Sequence, residues 1–580
     1  MNRINSILFL WLILFNISQQ IQETVYTLDF DSTNWSYDST NKVYYQIGVV
    51  YCTKPVDVDY QSLGIYVPEE YLTCSYTDEK YDCKINSSGK KGLYTAQNAP
   101  LVFPVETPGY SSMKAPTTYN FETISNFISQ GIIYIYAGCR GRYNGGEEYP
   151  AGAPWGVTDL KSAIRFLRYN SKLIPGDLKK IYSFGMSGGG AQSCLMGITG
   201  NSQLFTEYLE ENGAAMKDAD GKEIKDNIKG SQCWCPITNL DTADAAYEWN
   251  MGQYYSENSR EEGTFTKKLS SDLANKYYEY VNKLKLKDPK GNLLTLTALN
   301  KGPYYDYLLK TIEESLNNFL SDTTFPYDPS AKDDDEFPPG PPHSRRLTTI
   351  YNTSQEYIDS LNSDYSWVTY DSKTNKAKIT SVEDFAKHCK SADKSVGAFD
   401  SFTKGQAENF VFGVDGENYS KHFSQIISDL LAENKETYSQ LSNWDESYPD
   451  EYKEDLNKTD SIGKTILERV SIYNPMYYLS EYYEGYKKSD VADYFRINTG
   501  ISQSDTSNVV EMNLYLALLN YKKKAEFTTV CEKKHVEAER TGTAEDNFIN
   551  WVNNIENPKT SDMPYIKFNC LLIGLLLLIL

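Results

Sequence analysis

The sequence predicts an α/β fold: a mostly parallel central sheet with helices on both faces, carrying a large, mainly helical insertion. Three observations predict it. Gly131-Ile132-Ile133-Tyr134-Ile135-Tyr136-Ala137 is a continuous apolar run, as a strand buried on both faces requires. Past the glycine-rich exit Gly138-Cys139-Arg140-Gly141-Arg142, residues 157–170 place Val157, Leu160, Ala163, Ile164 and Leu167 on one helical face. A second apolar run, 181–184, leads into Gly185-Met186-Ser187-Gly188-Gly189, and small residues through Cys194 open another helix. Strand, helix, strand, helix is the rhythm of a layered α/β sheet.

The remaining elements follow in chain order. Residues 1–20 read as a secretory signal peptide: Arg3 precedes the apolar run 7–15, which is too short to span a bilayer. The core's first part is expected over 24–240, with strands at 43–50 and 63–68, the latter stopped by Pro68. Residues 241–470 read as a helical, acidic, Tyr-rich lid or cap. Within it, 322–347 carries Asp333-Asp334-Asp335-Glu336 and Pro338-Pro339-Gly340-Pro341-Pro342, a composition that cannot pack a core and predicts a flexible surface loop. The α/β rhythm returns over 471–556, with strands at 495–499 and 527–531 and helices at 514–524 and 545–554. Residues 557–580 end in an apolar tail behind a polar stretch with small residues, the order of a glycolipid-anchor signal.

Composition narrows the function classes. A chain of 580 residues with 40% hydrophobic and 23% charged residues can bury a large core. A net charge of -21 argues against nucleic acid as a partner. The 48 tyrosines are read as interior packing rather than a sugar-binding surface. Sequons at Asn34, Asn86, Asn352, Asn418 and Asn457 fit an extracellular or cell-surface location reached through a secretory pathway. The cysteines fit disulfides: Cys52, Cys74 and Cys83 cluster near the N-terminus, and Cys233-Trp234-Cys235 lacks the second pair a zinc site needs. No cofactor or metal is expected. The expected partner is a small molecule, with membrane contact expected only through a C-terminal lipid anchor.

The glycine-flanked Ser187 has the form of a nucleophile elbow, where a strand turns sharply into a helix and exposes the serine. Such a serine needs a histidine base and an acid, in the order Ser, acid, His. Of four histidines, His343 sits in the proline-rich linker, and His388 and His422 fall in the insertion. His535 follows the last expected strand directly, which is where the base belongs. Asp505 is the candidate acid, being the sole carboxylate between Asp493 and Glu511, with a helix N-cap as its alternative role. The oxyanion donors are expected to be the N–H of Gly188 and that of Cys139 in the glycine-rich loop.

Several blocks together resemble the bacterial subtype-B tannases and related carboxylesterases, a branch of the α/β-hydrolases. They are Tyr136–Arg142, Asp159–Arg165, the elbow, Cys235–Leu240, Arg496–Thr506 and His535–Trp551. The resemblance covers roughly 40–240 and 380–555 and implies a serine carboxylic ester hydrolase. It also implies that Lys394 and Glu408, from the insertion, hold the hydroxyls of a phenolic acyl group. One departure stands out. The family pattern Asp-x-Asp-Thr is here Gln503-Ser504-Asp505-Thr506, which aligns Asp505 with a substrate-binding position and Gln503 with the triad acid. Either Asp505 takes over the orienting role or the triad lacks its acid. A serine peptidase on the same fold and a non-catalytic surface protein are the alternative readings.

Overall fold

A computed structural model describes residues 25–142, 151–329, 349–414 and 419–558. Nine strands form one sheet: β1 (Ser36–Asp38), β2 (Val43–Val50), β3 (Ser62–Pro68), β4 (Leu101–Val105), β5 (Ile133–Ala137), β6 (Ile181–Met186), β7 (Gly230–Trp234), β8 (Tyr494–Gly500) and β9 (Lys524–Val530). Their spatial order is β1-β2-β3-β5-β4-β6-β7-β8-β9. The first pairings, through β3 with β5, are antiparallel; from β5 to β9 every pairing is parallel. Helices α1 (Phe121–Ser129), α2 (Trp155–Tyr169) and α3 (Gly188–Ile198) provide the crossovers that parallel strands demand.

Three of these strands lie outside the sequence expectation: the short edge strand β1, and β4 and β7. Strand β4 contains Pro104, which ordinarily marks an edge. It is tolerated because β4 pairs with β5 only at Leu101 and Val102, so no ladder bond is needed on that side at Pro104. Strand β7 is Gly-Ser-Gln-Cys-Trp, with no apolar run. Small residues suit it because α3 packs closely there: Ser183 Oγ lies 2.9 Å from Ser193 Oγ and 3.1 Å from Ser231 Oγ. Cys194 on α3 is disulfide-bonded to Cys233 on β7, and Cys74 to Cys83 across the hairpin Leu72–Thr77/Lys80–Ile85.

The chain leaves the sheet after Trp234 and returns at Tyr494. Between them run α4 (Ala243–Asn250), α5 (Phe265–Leu284), α6 (Pro303–Asp322), α7 (Val382–Cys389), α8 (Ala407–Val411) and further helices, with one hairpin, Val368–Asp371/Lys376–Ile379. Tyrosines tie this excursion to the core by burying the ring and bonding the hydroxyl. Tyr304 donates to Asn513 Oδ1 at 2.8 Å, and Asn513 donates to Tyr277 at 2.9 Å. Beyond β8, α9 spans Asn508–Asn520, six residues earlier than expected at its start, and α10 spans Ala544–Glu556. Among the described residues no helix is long and apolar enough to cross a membrane. Most of the acidic proline-rich linker, the N-terminal apolar segment, Asn418 and the apolar tail lie outside the described residues. Asn34, Asn352 and Asn457 are exposed, and Asn86 is half-buried.

Candidate active site

Ser187 stands between β6 and α3 at φ 59° and ψ -124°, a backbone region that non-glycine residues enter only when their surroundings hold them there. The surroundings are tight. A Cβ at Gly189 would lie 2.0 Å from Val105 O, and one at Gly185 2.6 Å from Gly189 O. Ser187 N–H donates to Trp234 O at 3.0 Å, pinning the turn against β7.

His535 comes from the loop after β9. Its Nε2 lies 2.8 Å from Ser187 Oγ. The loop is anchored on both flanks: Asn498 Nδ2 donates to Ala538 O at 3.0 Å, Cys235 Sγ to Val536 O at 3.2 Å, and Glu539 pairs with Arg496 at 2.6 Å. The other histidines in the described residues have separate partners. His422 is buried against Asp400 at 2.7 Å, and His388 stacks on Trp367.

The orienting contact differs from the sequence expectation. His535 Nδ1 lies 2.7 Å from Gln503 Oε1, and no hydrogen bond joins it to Asp505. The turn after β8 buries Gln503 behind the ring and leaves Asp505 half-buried two residues on. Asp505 acts on His535 by charge alone. Burial lowers the His535 pKa from its ordinary value, Asp505 opposes that shift, and Lys394 adds to it. A lowered value keeps the ring neutral, and competent as a base, to lower pH. The limb of the pH–rate profile that reports His535 is expected below about 6.5. Asp505→Asn removes the opposing charge and should move that limb lower still; an upward move would contradict this sign.

The oxyanion assignment is also corrected. Every N–H of the 138–140 segment is committed: Gly138 to Ser62 O at 2.9 Å, Cys139 to Met113 O at 2.8 Å, and Arg140 to Asp159 Oδ2 at 2.9 Å. That loop anchors α2 through the buried Arg140–Asp159 pair at 2.7 Å. The physical reason is sheet order. The strand beside the nucleophile strand is β4, not β5, so the turn 106–110 meets the elbow. A Cβ at Gly188 would lie 2.4 Å from Tyr110 N and 2.8 Å from Thr107 O. Gly188 stays a candidate donor, at the first position of α3, where N–H groups have no intrahelical acceptor. Gly109 N–H, at the tip of the 106–110 turn, is the candidate second donor.

Lys394 and Glu408 border this centre. Lys394 holds its ammonium 4.2 Å over the Phe399 ring, and its carbonyl accepts from Arg260 at 2.9 Å. Glu408 is buried on α8, which packs against the 108–110 turn. Burial raises its carboxyl pKa, against the opposing charges of Lys394 and Arg142. Among the described residues no cluster of His, Cys, Asp or Glu could hold a metal ion.

The BD-FAE family model matches residues 94–279, the half of the sheet that carries Ser187. The tannase of Fusobacterium nucleatum superposes with a TM-score of 0.67 at 27% identity, covering 92% of this chain and 100% of that one. The chain has the α/β-hydrolase fold and is similar to the tannases. A tannase from Lactobacillus plantarum, at TM-score 0.64, 22% identity and coverage of 88% and 94%, shares the fold. So does a tannin acyl hydrolase in complex with ethyl gallate, at TM-score 0.60, 23% identity and coverage of 91% and 98%. No curated protein matches the chain. For this tannase-like chain the matches support an ester hydrolase.

At the centre Glu511 escaped the sequence reading, while Gln503 was aligned with the triad acid and left as one of two alternatives beside Asp505. Gln503 was visible as a departure from the family pattern. Glu511, behind it, carried no signal, since a lone glutamate in a helical stretch reads as surface.

Proposed function

We propose that the protein is a secreted or cell-surface serine carboxylic ester hydrolase that prefers phenolic esters. One observation carries the chemistry: Ser187 Oγ, on a strained elbow, lies 2.8 Å from His535 Nε2. Ser187 Oγ attacks the ester carbonyl while Nε2 takes its proton. The tetrahedral oxyanion is met by the N–H groups of Gly188 and Gly109. Collapse expels the alcohol, which takes the proton from His535 and leaves an acyl-enzyme. Water, deprotonated by the same nitrogen, then releases the acid and restores Ser187.

Substrate preference rests on Lys394 and Glu408. A phenolic acyl group carries its hydroxyls far from the scissile bond. Lys394 can donate to a phenolic oxygen, and the buried Glu408 can accept from a phenol O–H. An acyl group without hydroxyls leaves these groups unpaired, which is where discrimination arises. Gallate and protocatechuate esters are therefore expected to turn over faster than benzoate or butyrate esters. Lys394→Ala and Glu408→Ala should narrow that preference by roughly tenfold, the scale of one lost buried hydrogen bond, and spare butyrate turnover. Equal wild-type rates on gallate and butyrate esters would reduce the protein to a general carboxylesterase.

The location rests on the N-terminal apolar run, the exposed sequon asparagines and two disulfides, which persist in oxidising compartments. Treating intact cells with a phosphatidylinositol-specific phospholipase should release the enzyme. A mature protein that retains residues 571–580 would exclude the glycolipid anchor.

A further inference from the structure

Gln503 poses a chemical problem that a carboxylate in its place would not. An aspartate offers only acceptors to His535 Nδ1, so Nδ1 must carry the proton and Nε2 is left free to act as base. A glutamine offers an acceptor at one end of its amide and donors at the other. If the amide turned over, its NH2 would face Nδ1 and demand the opposite tautomer. Nε2 would then be protonated and unable to take the proton of Ser187.

The groups behind Gln503 decide which way the amide lies. Its Nε2 donates to Glu511 Oε1 at 2.8 Å and also to Thr499 Oγ1. Thr499 Oγ1 in turn donates to the same Glu511 oxygen at 3.1 Å. All three side chains are fully buried. Turning the amide would place its oxygen against a carboxylate, two buried acceptors facing each other. Glu511 lies in the first turn of α9, where the helix end favours a negative charge.

We propose that Glu511 is a positioning residue of the catalytic centre: through the Gln503 amide it fixes His535 as the Nδ1–H tautomer. The inference rests on the Ser187 hydrolase reading. It makes the site a four-part chain, Ser187–His535–Gln503–Glu511, in which the negative charge is one side chain further from the base than in a triad. Asp505, released from the orienting role, faces Glu408 and Lys390 by charge instead.

The surroundings of Glu511 set its titration. Burial pushes it up to about 7, and Lys390 pulls the other way. Lys390 reaches in from the end of α7, donating to Asn508 Oδ1 at 2.7 Å and Ile501 O at 3.1 Å. Cys235, after β7, also faces Glu511. His535 and Asp505 lie beyond Gln503. A protonated Glu511 gains an O–H that can serve a turned amide, so the lock loosens as pH falls through about 7. Turnover should then show a shallow step near that pH, separate from the His535 limb below it.

Three measurements test this. Glu511→Gln keeps the shape but lets the second amide accept either orientation of the first. It is expected to lower kcat about tenfold or more at nearly constant KM, and to erase the step near 7. The double variant Gln503→Glu/Glu511→Gln exchanges carboxylate and amide, so the acid meets Nδ1 directly. It should recover kcat to within about threefold of wild type, whereas Gln503→Glu alone sets two carboxylates together and should not. In protein labelled with 15N-histidine, whose His535 signal is assigned by its loss in His535→Ala, the wild type should show Nδ1 protonated and Nε2 free, and Glu511→Gln a mixture. Wild-type kcat and an unchanged profile in Glu511→Gln would overturn the proposal. So would a loss that the exchange fails to recover, or a wild-type ring protonated on Nε2. If the wild-type protein cleaves no ester, the hydrolase reading fails, and the 15N spectrum still decides the relay.

Discussion

Ser187→Ala should abolish labelling by a fluorophosphonate probe and lower ester turnover by roughly 10⁴- to 10⁶-fold, the scale on which a serine–histidine unit acts. The fold should be untouched. The residue is small and already half-way to alanine in volume, and its backbone is held by Trp234 O rather than by its own hydroxyl. His535→Ala should lower turnover as far, because nucleophile and base act as one unit and either loss disables both. The two variants combined should be no worse than either alone, and that non-additivity is the sharper part of the expectation. Full labelling of Ser187→Ala would mean that another residue is the nucleophile. Inactivation by His422→Ala at unchanged melting temperature, with His535→Ala active, would move the base into the insertion.

The second large effect concerns a residue that touches no substrate. A Cβ at Gly500 would lie 1.9 Å from Lys534 O and 2.5 Å from Lys533 O. These are backbone atoms of the loop that carries His535, and Ser502 N–H holds the same stretch by donating to Lys533 O at 3.1 Å. Gly500→Ala must push that backbone away by more than about 1 Å, and a displacement of that size at a reacting group costs on the order of 10²-fold in rate. The expected result is a fall of at least that factor in kcat. Gly405→Ala is the control. A Cβ there meets only Thr403 Oγ1, at 3.4 Å, and turnover should stay within about twofold. A Gly500→Ala enzyme with wild-type kcat would show that the loop has slack that its hydrogen bonds do not suggest.

The parallel sheet and its two candidate catalytic residues were legible because each leaves a local pattern. An apolar run followed by Gly-x-Ser-x-Gly is a strand ending in an elbow, and a histidine just past the last strand has few other reasons to be there. What stayed hidden was set by neighbours. Strand β4 was masked by Pro104, whose tolerance depends on how far β5 extends beside it. Missing β4 displaced the oxyanion loop, because the choice between 106–110 and 138–142 depends on which strand lies next to β6. Strand β7 was masked because contact with α3 selects serine and glycine over valine and isoleucine. The orienting residue was half legible. Its alignment pointed to Gln503, but chemistry favoured the nearest acid, Asp505. The acid at the end of the chain, Glu511, becomes meaningful only when a helix face is known to abut the glutamine.

The spacing of Ser187 and His535 along the chain has a consequence for biosynthesis. Ser187 and His535 are 348 residues apart. At roughly 5–20 residues per second, His535 leaves the ribosome about 20–70 s after Ser187. Through that interval Ser187 lacks the histidine that stands beside it in the folded chain. β7 then presents an unpaired edge, because its partner β8 arrives only after the entire insertion. Until β8 arrives, that edge offers unpaired backbone N–H and C=O groups to any other strand nearby.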